Sequence, residues 1–436
     1  MNIEQIKSWL LTGLVLLSIY LFWNIVTFQE NYDHSVTSNQ QYIQEITIAD
    51  KKDPKDIFLP NKLIYRVGVD EYLGTESLQN IKPIIKEISS WTFYDFQEAT
   101  SDFIDQFNEL ENDAFILQYP DNIPYEMIKL LFTIEKDQKE AGAFQHIVIF
   151  PDDLQKNEGI IYLTNTFFNQ AVKVRVRNDH IGSFQDKIED FKTNSKQYIA
   201  VKKNNNDYLF LLNEAISLGN YQYLPIKRET NIFKQALFTD PNIVSQNGNG
   251  YTDGSNLLEI YPDTMKLRFV NTTVSLESYV TLGEILQSGI KFINEHSGWT
   301  DQYYYSAANA NEHKVIFQLN LQDYPVFNES GLSEIELAIG KSGTRVYERP
   351  YFALDVPFNP VNEEFTLPTG TEIIHYLENN KGFNINNVDD IVIGYHMRKE
   401  FNNELIQLEP TWFYRIGLKW IRISNDQMEG QLNGLE

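Results

Sequence analysis

The chain of 436 residues contains no cysteine, which removes disulfides, thiol nucleophiles, thiolate metal sites and a lipid-attachment cysteine from consideration. Positive charge is also scarce: 36 lysines and arginines stand against 60 aspartates and glutamates, a net charge of −24. Phosphate backbones are held by clustered Lys and Arg that displace counterions, so nucleic acid is excluded as the expected partner. The acidity reads instead as a solvated, self-repelling surface. Avoidance of cysteine suits an exported bacterial domain that folds without oxidative help.

Recognisable chemistry is equally thin. The seven histidines form no HExxH pair. Glu295-His296 and Glu312-His313 are adjacent, and adjacent side chains on a helix diverge, so these histidines are expected on the solvated surface and not around a metal. "GKSGT" (340–344) resembles the end of a phosphate loop, but Ile335 stands where the leading glycine belongs, and strand patterns flank it on both sides; a hairpin turn is expected. Thr344 likewise spoils a nucleophile elbow. "NGNGYTDGSNLLE" (247–259) has the flavour of a calcium loop, yet Tyr251 and Ile260 occupy two positions that need oxygen donors, which makes a flexible loop the expectation. Acid pairs such as Asp152-Asp153, Glu363-Glu364 and Asp389-Asp390 follow from the abundance of carboxylates. No catalytic residue, metal or cofactor is assigned, and the chain is not expected to be an enzyme.

What the sequence does hold is apolar and aromatic: 42% hydrophobic residues, with 28 Phe and 25 Tyr, enough for two or three packed domains. Its longest apolar run comes at the start. Residues 9–28 carry no formal charge, and 20 residues of helix measure about 30 Å, the thickness of a bilayer core. No small-x-small cleavage signature follows, so an uncleaved anchor is expected in preference to a signal peptide. Lys7 and the amino terminus favour a cytoplasmic residue 1–8 segment, with the rest extracytoplasmic. Trp9 and Trp23 are placed at the two interfaces. Gly13, Leu17, Tyr20 and Asn24 share one narrow helical face, offering close backbone approach, a phenol and an amide to a partner helix; contact of that face with lipid and headgroups is the alternative.

Beyond the anchor, residues 29–55 read as a polar stalk, followed by three exported α+β domains over 56–195, 196–357 and 358–436. The first mixes strands ("KLIYRVGV", "AFILQYP", "FQHIVIF", "GIIYLTN", "AVKVRVR") with an amphipathic helix, "ESLQNIKPIIKEISS", that tolerates Pro83. Helices and strands do not alternate at βαβ spacing, which points to antiparallel sheets. Further on, "YLFLLNE" with "YQYLPIK" suggests a hairpin, "NIFKQALF" a short helix, and "NLLEIYP" with "KLRFVN" a hairpin turning at Pro262-Asp263. Leu282, Ile285, Leu286, Ile290 and Ile293 share a helix face that Gly298 terminates. "VYERPYFAL" (from Val346) and "IQLEPTWFY" (from Ile406) share a β-rich run, a central proline and trailing aromatics. Two duplicated helix-plus-meander modules are one reading of this and chance similarity of aromatic strands is the other.

Taken together, the short N-terminus, the helix ending "LFWNIVTFQENYD", the long cysteine-free exported region and the late "LIQLEPTWFYRIGLKW" resemble the YycH family of low-GC Gram-positive bacteria. The resemblance spans the whole layout, with its specific residues at Trp23-Asn24, "TFQENY" and Pro410-Thr411-Trp412. It implies a membrane-anchored accessory protein of the WalKR (YycFG) cell-wall two-component system, acting on the sensor histidine kinase together with a single-pass YycI-like partner. It leaves pairing of two copies and the sign of regulation open. A competing reading is an exported module that binds a cell-wall polymer or small molecule, with Tyr303-Tyr304-Tyr305 stacking on sugars; a core role for these tyrosines is the simpler expectation.

Overall fold

A computed structural model describes residues 16–18, 49–68, 71–109, 113–135, 142–204, 207–296, 298–359, 364–399 and 405–424. The chain divides into two units, Met1–Ile43 and Gln44–Glu436. In the first, residues 16–18 are helical and Leu16 and Leu17 are exposed. The rest of the apolar span expected over 9–28 lies outside the described residues. Among the described residues no helix is long and apolar enough to cross a membrane.

The second unit is mixed α+β and predominantly antiparallel. Among the described residues one sheet has ten strands. Its middle runs through Glu71–Thr75, Lys62–Val67, Ala114–Pro124, Ala143–Ile149, Glu158–Thr164 and Ala171–Arg177. The pair Lys196–Lys202 and Tyr208–Leu212 extends one edge, while Thr92–Glu98 and the two-residue strand Thr133–Ile134 extend the other. The central strands are buried nearly throughout, as in Lys62–Val67, because helices and the second sheet cover them.

Helix Leu78–Ser89 packs Ile81, Ile84, Ile85 and Ile88 inward. Pro83 is tolerated because it and Gln79, whose carbonyl would have been its acceptor, are both exposed, so the lost bond faces water.

The second sheet has fourteen strands among the described residues. Its path begins with the meander Ser245–Asn247, Gly250–Thr252, Asn256–Tyr261 and Lys266–Asn271, then crosses Gly343–Pro350, Glu334–Gly340 and Lys314–Leu321. The short strand Tyr324–Phe327 pairs in parallel with Asp390–Lys399 and so joins the last meander, which continues through Ile406–Ile416 to Lys419–Ile423. Pro410 falls in the gap between residues 406–408, which pair with Tyr221–Tyr223, and residues 412–416, which pair with Lys419–Ile423. A residue without an N–H costs no ladder bond on that side. Pro350 has a different setting, at the end of its strand.

Helix Leu282–Glu295 opens with a reciprocal capping box between Thr281 and Glu284 and buries Ile285, Leu286, Ile290 and Ile293 on the face the spacing predicts. Gly298 follows at φ +63°, donating to the Ile293 carbonyl at 2.8 Å. A Cβ on it would lie 2.3 Å from the Ala49 carbonyl oxygen, so the helix stop also admits the chain at residue 49.

"GKSGT" is the expected turn of an antiparallel hairpin, Gly340 pairing with Gly343. Other sequence expectations change. "YLFLLNE" and "YQYLPIK" do not form a hairpin: Tyr208–Leu212 pairs with Lys196–Lys202, and Tyr221–Tyr223 joins the other sheet. "NGNGYTDGSNLLE" is no flexible loop but two successive tight hairpins, with Gly248 and Gly254 at positive φ and Asp253 accepting from the Ser255 and Asn256 amides.

Candidate functional site

Two alternating strand ends bring the main polar constellation together. In Lys62–Val67 the apolar residues occupy both faces, and Lys62 goes inward with them, its side chain fully buried. An ammonium in that position needs a complete set of acceptors. Lys62 Nζ donates to Asp390 Oδ1 at 2.6 Å, to the Ile391 carbonyl at 2.7 Å and to the Phe210 carbonyl at 2.8 Å. Asp390 opens the strand Asp390–Lys399 and also accepts from Asn61 Nδ2 and from the Ile391 amide, each at 2.8 Å. Glu76 completes the group: Oε1 is 3.8 Å from Lys62 Nζ, and Oε2 accepts from the Ile393 amide at 3.2 Å. Oε1 makes no hydrogen bond, and burial pushes the Glu76 carboxyl up to about 7, against the pull of Lys62 and with the push of Asp390.

This triad lies on the seam between the two sheets. Arg415, buried in the last long strand, donates to the Pro120 carbonyl at 2.8 Å and lies 3.8 Å from Asp121. Tyr305 Oη donates to the Asn122 carbonyl and the Ala308 amide to Asp121 Oδ2. Lys203 pairs with Asp207 and donates to the Val388 carbonyl at 2.6 Å. Ser77 Oγ and the Gln79 amide both reach Asp323, which holds a left-handed φ of +74°. Phe58 against Tyr305, ring centroids 4.7 Å apart, adds apolar contact.

A cleft of about 460 Å³ opens along this seam, lined among others by Asp121, Lys203, Asp207, Asn386, Asp389 and Arg415. Among the described residues its charged groups are engaged: Arg415 with Asp121 and the Pro120 carbonyl, Lys203 with Asp207 and the Val388 carbonyl, Asp389 with the Gly417 amide and Glu312 with Asn309 Nδ2. Among the described residues no group of three or more His, Asp or Glu side chains is placed to hold a metal ion.

Of the residues singled out from sequence, Trp9, Gly13, Tyr20, Trp23 and Asn24 lie outside the described residues, and Leu17 is an exposed helical position. Tyr303 and Tyr305 are core residues, and only Tyr304 is partly open. The histidines expected in solvent are packed instead. His296 stacks on Phe292 with ring centroids 4.2 Å apart and is bonded to its carbonyl, while His313 bonds the Ile339 carbonyl at 3.0 Å. Asp389-Asp390 is not a surface pair: Asp389 bonds the Gly417 amide, and Asp390 is fully buried. The overlooked signal is a charged residue at the start of an otherwise apolar strand, present in both "KLIYRVGV" and "DIVIGYHM".

Two family descriptions match the chain: "YycH protein, N-terminal domain" over residues 4–193 and "YycH protein, C-terminal domain" over residues 205–430. The chain is similar end to end to the "Two-component system WalR/WalK regulatory protein YycH" of Bacillus subtilis (strain 168), 24% identical over 470 residues and covering 100% of both chains. In fold it is similar to the crystal structure of YycH from Bacillus subtilis, with a TM-score of 0.75, 20% identity, and coverage of 87% of this chain and 100% of the other.

Proposed function

The chain belongs to the YycH family, and from that premise we propose that it is a membrane-anchored accessory regulator of a WalR/WalK-type two-component system, biasing the sensor histidine kinase in company with a YycI-like single-pass partner. The observation that carries this reading is the end-to-end similarity, without an unmatched domain on either side, to a protein named for regulating WalR/WalK. A regulator shifts a kinase only by binding one of its states better than the other. In this reading residues 9–28 form a single span with residues 1–8 in the cytoplasm and the body outside. Trp9 and Trp23 anchor it at the interfaces, and Gly13, Leu17, Tyr20 and Asn24 supply the helix–helix contact. A homodimer of the body is compatible with it.

Replacing Gly13, Leu17, Tyr20 and Asn24 together by Leu should abolish association with the kinase helix in a membrane two-hybrid assay while leaving insertion intact. Unchanged association overturns the role of that face. Deleting the body while keeping the first 35 residues separates the two contributions: regulation that survives rests on the helix, and complete loss places it in the extracytoplasmic unit. The wall-polymer reading is weakened by the burial of Tyr303 and Tyr305, which removes two of its three stacking surfaces.

A further inference from the structure

The strongest unassigned feature is a groove of about 820 Å³ lined by Lys52, Lys55, Lys82 and Lys86, with Asp56 as its one acid among the described residues, on a chain whose net charge is −24. Four lysines do not converge on such a surface by composition alone. The groove is built rather than draped. Helix Leu78–Ser89 presents Lys82 and Lys86 one turn apart on its exposed side, with Ile85 between them turned into the wall. Lys52 is fixed in both directions through its backbone: its amide donates to Asn294 Oδ1 at 3.1 Å, and Asn294 Nδ2 returns a bond to its carbonyl at 3.0 Å. The same Asn294 oxygen accepts from Trp299 Nε1 at 2.8 Å.

The ammonium of Lys52 lies 5.7 Å from the centroid of Trp299 and 5.5 Å from that of Tyr304, and donates to the Asp301 carbonyl at 3.2 Å. Lys82 Nζ comes to 5.3 Å from the same Tyr304 ring. Two ammonium groups thus approach one phenol ring, and among the described residues no carboxylate forms an ion pair with Lys52, Lys82 or Lys86. Lys55 has only an exposed 3.7 Å contact with Asp53. The Asp301 carboxylate is turned away to the Leu354 amide. Burial and the neighbouring Lys82 draw the Lys52 ammonium down to about 8, with Asp301 and Asp56 opposing them. Among the described residues the lysines of the groove outnumber the acids beside them.

We propose that this groove binds a phosphate-bearing ligand, with the oxyanion held by Lys52 and Lys82 beside Tyr304 and an apolar flank resting on Leu59, Ile85 and Leu131. Lysine ammonium groups bind phosphate as point charges, through the non-bridging oxygens that a phosphate monoester and a phosphodiester both carry, and among the described residues the groove's only cations are lysines. The chemistry is shared by a free phosphate ester and by a phospholipid headgroup, and the apolar floor distinguishes them.

The test uses the full chain in a neutral detergent and calorimetric titration with glycerol phosphate, with the water-soluble dihexanoylphosphatidylglycerol, and with acetate as control. Saturable binding of the phosphate compounds is expected, weakened tenfold or more by Lys82→Gln and by the double variant K82Q/K86Q. Both positions are exposed, so the variants should fold, while Lys291→Gln on an outer helix face should change nothing. Affinity should fall as pH rises through about 8, where Lys52 loses its proton. A lipid source is indicated if the short-chain lipid binds at least tenfold more tightly than glycerol phosphate, and a free phosphate ester if the two bind alike. Absence of saturable binding, equal binding of acetate, or binding indifferent to K82Q/K86Q overturns the proposal.

Discussion

Glu76→Gln is the substitution that most directly exposes how the seam is held. With Glu76, Asp390 and Lys62 all ionised, the buried group carries one charge too many, whereas protonation of Glu76 leaves a neutral cluster. A carboxyl held at about 7 in the folded chain and near its ordinary 4.5 when unfolded retains its proton on folding throughout that interval. The folded state then binds more protons than the unfolded one, so stability falls as pH rises from about 4.5 to 7 and levels off above it. Between pH 5 and pH 8 the loss amounts to about 2–3 kcal/mol. Asp301 and Glu334, also pushed up to about 7 by burial, add losses of the same sign, while buried His146, pushed down to about 4, adds a gain over its own interval. The raw profile is therefore a mixture, and the informative quantity is the difference between wild type and E76Q. Glutamine keeps an acceptor for the Ile393 amide and mimics the protonated acid. Urea unfolding monitored by fluorescence should show E76Q more stable by about 1 kcal/mol at pH 5 and by about 3 kcal/mol at pH 8. Parallel profiles for the two proteins would refute the reasoning.

Breaking the buried pair from one side should be far more severe: Lys62→Met or Asp390→Asn leaves an unpaired charge and should cost about 3–5 kcal/mol, and the double variant should recover much of it, read as coupling in a double-mutant cycle of urea midpoints. Gly298→Ala should destabilise by at least about 2 kcal/mol, because φ +63° and the Ala49 carbonyl both reject a Cβ, and hydrogen exchange should rise at residues 49–53. Thr281→Ala should cost about 1 kcal/mol in thermal unfolding through loss of the capping box, with Thr281→Ser restoring it.

Local grammar was readable wherever one element's own periodicity decides its structure. The helices at Leu78–Ser89 and Leu282–Glu295 and the hairpin through Pro262-Asp263 follow directly from apolar spacing and turn residues. Failures occurred where a distant partner decides. Tyr208–Leu212 and Tyr221–Tyr223 are close in sequence, but each finds a better neighbour in a different sheet, which no local pattern encodes. The glycines of 247–259 were weighed as looseness, whereas Gly248 and Gly254 supply the positive φ that tight hairpins require. Asp389-Asp390 passed as one acid pair among many because alternation sends one side chain outward and the next inward, and only the presence of Lys62 on the facing strand shows which is which. The basic groove escaped because its lysines come from segments thirty residues apart and meet only over Tyr304.

The Lys62–Asp390 bond joins positions 328 residues apart, and it sets a clock on how the chain is made. At roughly 5–20 residues per second, about 15 to 65 seconds separate the synthesis of the lysine from that of its carboxylate. Throughout that interval a strand destined for the centre of a sheet carries a charge it cannot yet bury, and its apolar neighbours wait with it. The first half of the chain is therefore made early, yet the centre of its sheet is completed only when the last strands have been synthesised.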